Sequence, residues 1–142
     1  MQQKLYVVTV SNQSAADNFA KSVLKPPFMW GLRRGKSNTG RWESAEVGDV
    51  IIFKCRGGTP VAAKILSKKA DPHVAEKIWG SCSRDFELLL ELSKPYKVAL
   101  PREELDAVLG NRHAGLQRVS PDRISLACAK FGDAFIRALK LS

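Results

Sequence analysis

The sequence lacks the long apolar run that a membrane-spanning helix requires. None of its hydrophobic stretches approaches the ~20 consecutive residues needed to cross a bilayer. The first ten residues, MQQKLYVVTV, contain one lysine and a short apolar run without a small-residue cleavage site. They predict a first strand rather than a signal peptide. We therefore expect a cytoplasmic protein with no membrane partner.

Cysteine and histidine are few and far apart, which argues against a metal site. The three cysteines, Cys55, Cys82 and Cys128, show no CxxC spacing, and the two histidines, His73 and His113, lie in different segments. Zinc sites that can be recognised from sequence need ligand pairs at short spacing. We expect reduced thiols, no metal site and no cofactor.

Catalytic motifs are also missing. The chain has no GxSxG, no Walker-type phosphate loop, no HExxH and no GxGxxG. Three acids, Glu43, Glu46 and Asp49, cluster before a predicted strand, but Asp49 follows Gly48 and is typical of a turn residue. We predict that the protein is not an enzyme and has no catalytic residues.

Acidic residues are scarce in the first half of the chain. Residues 1–69 contain 12 Lys and Arg against 4 Asp and Glu, whereas residues 70–142 contain 11 against 10. The net charge of +9 therefore belongs almost entirely to the first half, which favours nucleic acid or another polyanion as the partner. Length and composition fit one compact domain over residues 1–142.

A basic segment between aromatic side chains is present instead, over residues 28–49. Trp30 and Trp42 lie at the two ends of a predicted polar, glycine-containing loop. Four cations lie between the two tryptophans: Arg33, Arg34, Lys36 and Arg41. Aromatic faces beside cations suit a ligand that carries both bases and phosphates. The alternative is that both tryptophans are core anchors and the loop is an ordinary solvated connection.

Further candidate site residues lie outside this segment. Trp79 ends a polar connection, and three tryptophans beside loops would line an apolar pocket suited to a methylated base. Ser11 and Asn12 follow the first strand, where they can contact a base edge or simply begin a helix. Lys54 and Arg56, beside a predicted hairpin turn, complete the predicted phosphate contacts.

The hydrophobic pattern predicts an α+β fold. Strands are expected over residues 5–10, 28–32, 49–55, 61–67 and 86–92, with an extension over 97–100. Helices are expected over residues 15–24 with Ser14 as the cap, over 102–109, and from Ser120-Pro121 to 139 as one helix. Loops are expected over residues 36–39, 68–83 with one helical turn near 74–78, and 111–119. Because hairpins join several strands, we expect a curved, mainly antiparallel sheet or a small barrel with helices packed outside.

Three short motifs, in this order and spacing, resemble the EVE domain. They are Trp30-Gly31, Gly40-Arg41-Trp42 and the run VGDVIIF over residues 47–53, and they follow a first strand that reads YVVTVSN. The EVE domain belongs to the PUA-like group, which also includes YTH and ASCH domains. The similarity covers about residues 4–100, and the residues from about 101 to 142 form a helical extension with no motif that we can name.

The resemblance implies a curved, barrel-like sheet and binding of nucleic acid. Domains of this group read modified bases, and some are the N-terminal recognition modules of modification-dependent restriction proteins, where the base is flipped out of the duplex. By position, Trp30, Gly31, Asn12 and Trp79 correspond to pocket residues. Phe86 and leucines stand where YTH domains have another tryptophan, so an EVE-type pocket is the expected one.

These observations predict a non-catalytic reader domain that encloses a flipped, modified base such as 5-methylcytosine or N6-methyladenine, in DNA rather than RNA. The alternatives are an RNA-binding PUA-like module, a small nucleotide-processing enzyme, and a protein-interaction module whose tryptophans anchor an interface. A motor or nuclease effector would then lie on another part of the chain or on another protein.

Overall fold

The computed structural model describes residues 3–10, 12–55, 59–80, 83–110 and 115–141. Four residues named above, Ser11, Arg56, Cys82 and His113, lie outside these ranges. The strands of the described part are β1 (Leu5–Val10), β2 (Met29–Leu32), β3 (Val50–Cys55), β4 (Val61–Ala70), β5 (Leu88–Leu92), β6 (Tyr96–Lys97) and β7 (Leu116–Arg118). Its helices are α1 (Gln13–Ser22), α2 (Lys36–Ser44), α3 (Pro72–Trp79), α4 (Arg102–Leu109), α5 (Pro121–Phe131) and α6 (Asp133–Leu139).

The strands form one mixed, curled sheet in the spatial order β2-β5-β4-β3-β1-β7, with β6 paired to β4 beside this path. The pairing of β1 with β3 is parallel, and the other five pairings in the described residues are antiparallel. β4 pairs with β3 through its first half and with β5 through its second half. Its register shifts between Ile65 and Ser67. Such an irregularity bends a strand and increases its twist, which lets the sheet curl. The predicted α+β class with a curved, mainly antiparallel sheet is confirmed.

Each face of the sheet buries its own core. Ile51 and Phe53 of β3 pack on one side with Phe19 of α1 and residues of β2, whereas Val50 and Ile52 pack on the other. Helices α4, α5 and α6 cover that second side. Successive side chains of a strand point to opposite faces, so a strand that is covered on both faces needs apolar residues throughout. This explains the continuous run VIIF in β3.

The segment between Trp30 and Trp42 contains a helix where the sequence predicted a loop. Its glycine, serine, asparagine and threonine residues are weak helix formers, so tertiary contacts must stabilise α2. The indole Nε1 of Trp42 donates to the carbonyl of Leu89, at 3.0 Å. The ammonium of Lys68 lies 4.9 Å from the Trp42 ring centroid and donates to the carbonyls of Trp42 and Glu43 at 2.9 and 3.0 Å. A cation at these C-terminal carbonyls also complements the helix dipole.

Side-chain caps explain two further differences from the predicted boundaries. The cap of α1 is Asn12 rather than Ser14, because the Asn12 Oδ1 accepts a hydrogen bond from the Ala15 N–H at 2.8 Å. After β4, which continues to Ala70, the single predicted helical turn is the eight-residue helix α3. The Asp71 carboxylate accepts from the first N–H groups of α3, which satisfies donors that a helix start leaves open.

Other boundaries near the C-terminus also differ from prediction. The expected loop over residues 111–119 contains the short strand β7, which pairs with β1. The predicted continuous last helix is two helices, because Gly132 has a φ of 62° that interrupts the helical backbone between α5 and α6. Of the expected strand extension over 97–100, only Lys97 lies in a strand, the two-residue strand β6.

Lys54 is buried between the sheet and α4. Only 1% of its side chain is exposed, and its ammonium lies 2.7 Å from the Asp106 carboxylate and 3.1 Å from the carbonyl oxygen of Gly110. Arg102 lies on the other side of the same carboxylate, at 3.7 Å. The buried position leaves no face of the Lys54 ammonium for a phosphate, contrary to the sequence prediction. Its role here is to hold α4 against β3.

Replacing Asp106 by alanine should therefore lower the free energy of unfolding by about 3 kcal/mol, because the Lys54 charge would remain buried without its partner. Guanidinium unfolding curves measure this change. Glu104→Ala on the same helix is the matched control, because Glu104 is exposed and its loss should change stability by less than about 0.5 kcal/mol. Equal effects of the two substitutions would contradict the structural role of the Lys54–Asp106 pair.

Candidate nucleic-acid interface

A cavity of about 390 Å³ lies beside the end of β2, where α1, α2 and α3 approach the sheet. Its aromatic walls are Trp30, Trp79 and Phe86. Polar side chains also line it: Asn12, Ser14, Asn18, Arg33 and Asn38. The cavity therefore combines large apolar faces with a few hydrogen-bonding groups, which is the usual composition of a ligand site.

Trp30 belongs both to the core and to the cavity. It lies on β2 opposite Leu90, it is 9% exposed, and its ring meets the Phe53 ring edge-on with centroids 5.5 Å apart. Its indole N–H is buried and has no hydrogen-bond partner among the described residues. A buried donor without a partner carries a desolvation penalty, and such groups are few in native proteins.

Trp79 reaches the cavity because Gly31 has no side chain. A Cβ atom at Gly31 would lie 2.8 Å from two atoms of the Trp79 ring and 2.7 Å from the carbonyl oxygen of Phe86. The Trp79 and Phe86 rings are 6.0 Å apart at an angle of 58°, and the Trp79 N–H lies 3.4 Å from the Asn18 carbonyl oxygen. The glycine thus lets the indole lie directly against the backbone of β2.

Two asparagines present opposite hydrogen-bonding groups at the cavity. Asn12 uses its Oδ1 to cap α1, which leaves its Nδ2 as a donor. Asn38 donates its Nδ2 to the Arg33 carbonyl at 3.0 Å, which leaves its Oδ1 as an acceptor. Sequence reasoning missed Asn38 because its segment was predicted to be a loop, and it missed Asn18 because helix periodicity alone does not identify which polar residue faces a cavity.

Not all predicted base-pocket residues meet at the cavity. Trp30, Gly31, Asn12 and Trp79 line it. Trp42 does not, because it lies on α2 with its N–H bonded to the backbone of β5. Ser11 lies outside the described residues.

The predicted phosphate-binding cations differ in their surroundings. Arg33, Arg34 and Lys36 are exposed where β2 leads into α2, and Arg41 is half-buried on that helix. Arg33 lies 2.8 Å from Asp85, and the Arg34 guanidinium pairs with Glu87. Acids from the second half of the chain therefore offset part of the charge of the first half. Arg56 lies outside the described residues.

The described residues contain no cluster of three or more His, Cys, Asp or Glu side chains that could hold a metal ion. None of the helices in these residues is both long enough and apolar enough to cross a membrane.

No family model matches the sequence, and no curated protein matches it. Solved structures do match. The N-terminal domain of Thermococcus gammatolerans McrB, bound to m5C DNA, has a TM-score of 0.69 and 16% identity, and the alignment covers 92% of this chain and 98% of that domain. The chain shares the fold of this domain, which is PUA-like. The fold that the sequence motifs predicted is therefore confirmed.

Two other solved structures share this fold. Human THYN1, in complex with 5-methylcytosine containing DNA, has a TM-score of 0.56 and 9% identity over 92% of this chain and 98% of that one. The YTH domain-containing protein mmi1, in a complex with RNA, has a TM-score of 0.58 and 13% identity over 98% of this chain and 87% of that one. At these identities the likeness establishes the fold alone.

Replacing Gly31 by alanine should lower the free energy of unfolding by about 1–3 kcal/mol, because the new methyl group would displace Trp79 or the backbone near Phe86. Chemical unfolding followed by tryptophan fluorescence measures both the loss and the altered indole environment. Gly40→Ala is the control: nothing lies within 4 Å of its Cβ position in α2, so alanine should stabilise the protein by about 0.5–1 kcal/mol. The same sign for both substitutions would contradict the packing role of Gly31.

Proposed function

We propose that this chain is a non-catalytic reader domain that binds nucleic acid and encloses a modified base in the cavity beside Trp30. The observation that carries the proposal is the cavity, with three aromatic walls and an arginine at its edge. It lies in the fold of two domains whose solved structures contain 5-methylcytosine DNA. We accordingly propose DNA rather than RNA as the ligand and 5-methylcytosine as the first modification to test.

The size and lining of the cavity suit a single base. A volume of about 390 Å³ is at the lower end of the range of small-molecule sites. Stacking on aromatic side chains contributes roughly 1–3 kcal/mol per base. This gain offsets the few kcal/mol that are needed to take a base out of the duplex stack. Trp30, Trp79 and Phe86 would also surround a methyl group on the base with apolar surface. Moving that methyl group out of water is favourable.

Hydrogen bonds would fix the base inside the cavity. The free donor of Asn12 and the free acceptor of Asn38 suit a base edge that carries both an acceptor and an amino group, as cytosine and adenine do. Gly31 has no side chain, and this would let Trp79 keep its position in the cavity wall. We assign Trp42 to the support of α2 rather than to contact with the base.

Phosphate contacts would come from the connection between β2 and α2. Arg33 lines the cavity, and Arg34, Lys36 and Arg41 follow it in the chain. Contacts to phosphate position the duplex without reading its sequence. We further propose that residues 1–142 form a single domain that works in the cytoplasm, and that any motor or nuclease activity resides on another part of the chain or on another protein.

A second candidate is a reader of modified RNA. The observation that favours it is the shared fold with the YTH domain of mmi1, whose solved structure contains RNA. The same cavity would serve, and contacts to the 2′-hydroxyl would distinguish RNA from DNA. Matched DNA and RNA probes separate the two candidates.

The test is the affinity for matched DNA duplexes with and without 5-methylcytosine or N6-methyladenine, and for the corresponding RNA strands. We expect the wild-type protein to prefer methylated DNA. Phe86→Ala should weaken the binding of methylated DNA roughly tenfold or more, because an aromatic wall that stacks on the base is lost. Most of the preference for methylated DNA should disappear with it. Phe86 is a better target than Trp30, whose truncation would also damage the core, at about 3–5 kcal/mol.

Phe131→Ala is the matched control. It makes the same change at a half-buried phenylalanine on α5, which packs in the core on the opposite side of the sheet. It should leave the methyl preference unchanged. Equal binding of methylated and unmethylated probes by the wild-type protein, or an equal loss in both variants, would overturn the proposed function.

A further inference from the structure

We propose that Asp85 is a built-in competitor for phosphate: its carboxylate holds Arg33 in the unbound protein, and a nucleic-acid phosphate replaces it on binding. The proposal rests on the proposed function, because it assigns a partner to a cation at the edge of the same cavity. It adds an acidic residue that lies about 50 positions beyond Arg33 in the chain and is brought to it only by the fold.

The geometry around Arg33 is fixed from two sides. Its Nε lies 2.8 Å from the Asp85 carboxylate, and its guanidinium carbon lies 4.5 Å from the centroid of the Phe86 ring. Phe86 is itself a wall of the cavity. The ring therefore packs against the guanidinium at the cavity, while the carboxylate lies beside its Nε. Guanidinium groups pair with phosphate oxygens as readily as with carboxylates.

The position of Asp85 follows from the pairing of β2 with β5. These strands are antiparallel, with Leu32 opposite Leu88. The residues after β2 consequently run beside the residues before β5. This places Arg33 and Arg34 next to the sequence Asp85-Phe86-Glu87, so each arginine meets an acid and the aromatic ring between the acids faces the cavity.

The Arg33–Asp85 pair is exposed enough for a phosphate to replace the carboxylate. The two side chains are 61% and 55% exposed, and ion pairs in water contribute little to stability. The Lys54–Asp106 pair is different, since its lysine is 1% exposed and no phosphate can reach it. Arg34 is also held more firmly, because its partner Glu87 is only 24% exposed. Arg33 is thus the paired cation at the cavity that a phosphate can most readily take over.

The first test is the affinity of Asp85→Asn for one DNA duplex in methylated and unmethylated form, in titrations at several salt concentrations. Removing the competitor should tighten binding roughly two- to fivefold for both forms, the range that an exposed ion pair supports. The slope of log affinity against log salt concentration should become steeper by up to about one unit. In the wild-type protein the displaced Asp85 carboxylate takes up a cation from solution on binding, and the variant has no carboxylate to do so.

Glu91→Gln is the matched control. Glu91 lies on β5 and pairs with Lys69 at 3.6 Å with similar exposure, but it does not line the cavity. It changes the net charge by the same amount as Asp85→Asn. A similar gain in this control would overturn the proposal, because the effect would then come from overall charge. Unchanged or weaker binding by Asp85→Asn would also overturn it.

A double-mutant cycle with Arg33→Ala separates the specific pair from a general effect. If Asp85 competes for Arg33, Asp85→Asn should give no gain in the Arg33→Ala background. A gain that persists without Arg33 would overturn the proposal. Failure of the proposed function would give a different result. The wild-type protein would then show no preference for methylated DNA, whereas the effect of Asp85→Asn on the affinity for the unmethylated duplex would still be measurable.

Discussion

The continuous strand β4 connects the two parts of the sheet, and the candidate site depends on that connection. Its first half extends the pair of β1 and β3, which is buried on both faces, and its second half carries β5 and then β2. The register shift between Ile65 and Ser67 turns the second part of the sheet relative to the first. The cavity lies between β2 in this second part and the helices α1, α2 and α3, so its walls depend on how the two parts of the sheet are joined.

Local patterns predicted most of the fold but not its shortest or most context-dependent elements. β-Branched and aromatic runs mark β1 and β3, and helix spacing marks α1 and α4. The strand β7 has only three residues, too few for any periodicity. The helix α2 has a sequence that favours a loop, and contacts from Lys68 and Leu89 at its C-terminal end outweigh that preference.

Only part of the candidate site was predicted from the sequence. Residue type and spacing identify single residues, but they do not show which residues are neighbours in space. The motif Trp30-Gly31 pointed to the cavity, and Asn12 and Trp79 line it as well. Charge counts along the chain were less informative, because several acids that pair with cations of the first half lie in the second. Lys54 shows the limit most clearly, since its partner is 52 residues away in the sequence.

Trp30 belongs both to the core and to the cavity wall, which limits how the proposed site can acquire a different ligand. Its ring packs on Phe53 in the core while it also forms a cavity wall, so any substitution that reshapes the wall also costs stability. The half-buried asparagines Asn18 and Asn38 line the cavity outside the hydrophobic core, and among the described residues the Asn38 amide keeps only its hydrogen bond to the Arg33 carbonyl. Natural variation or engineering aimed at a new ligand for the proposed site should therefore change these amides and leave the Trp30 indole in place.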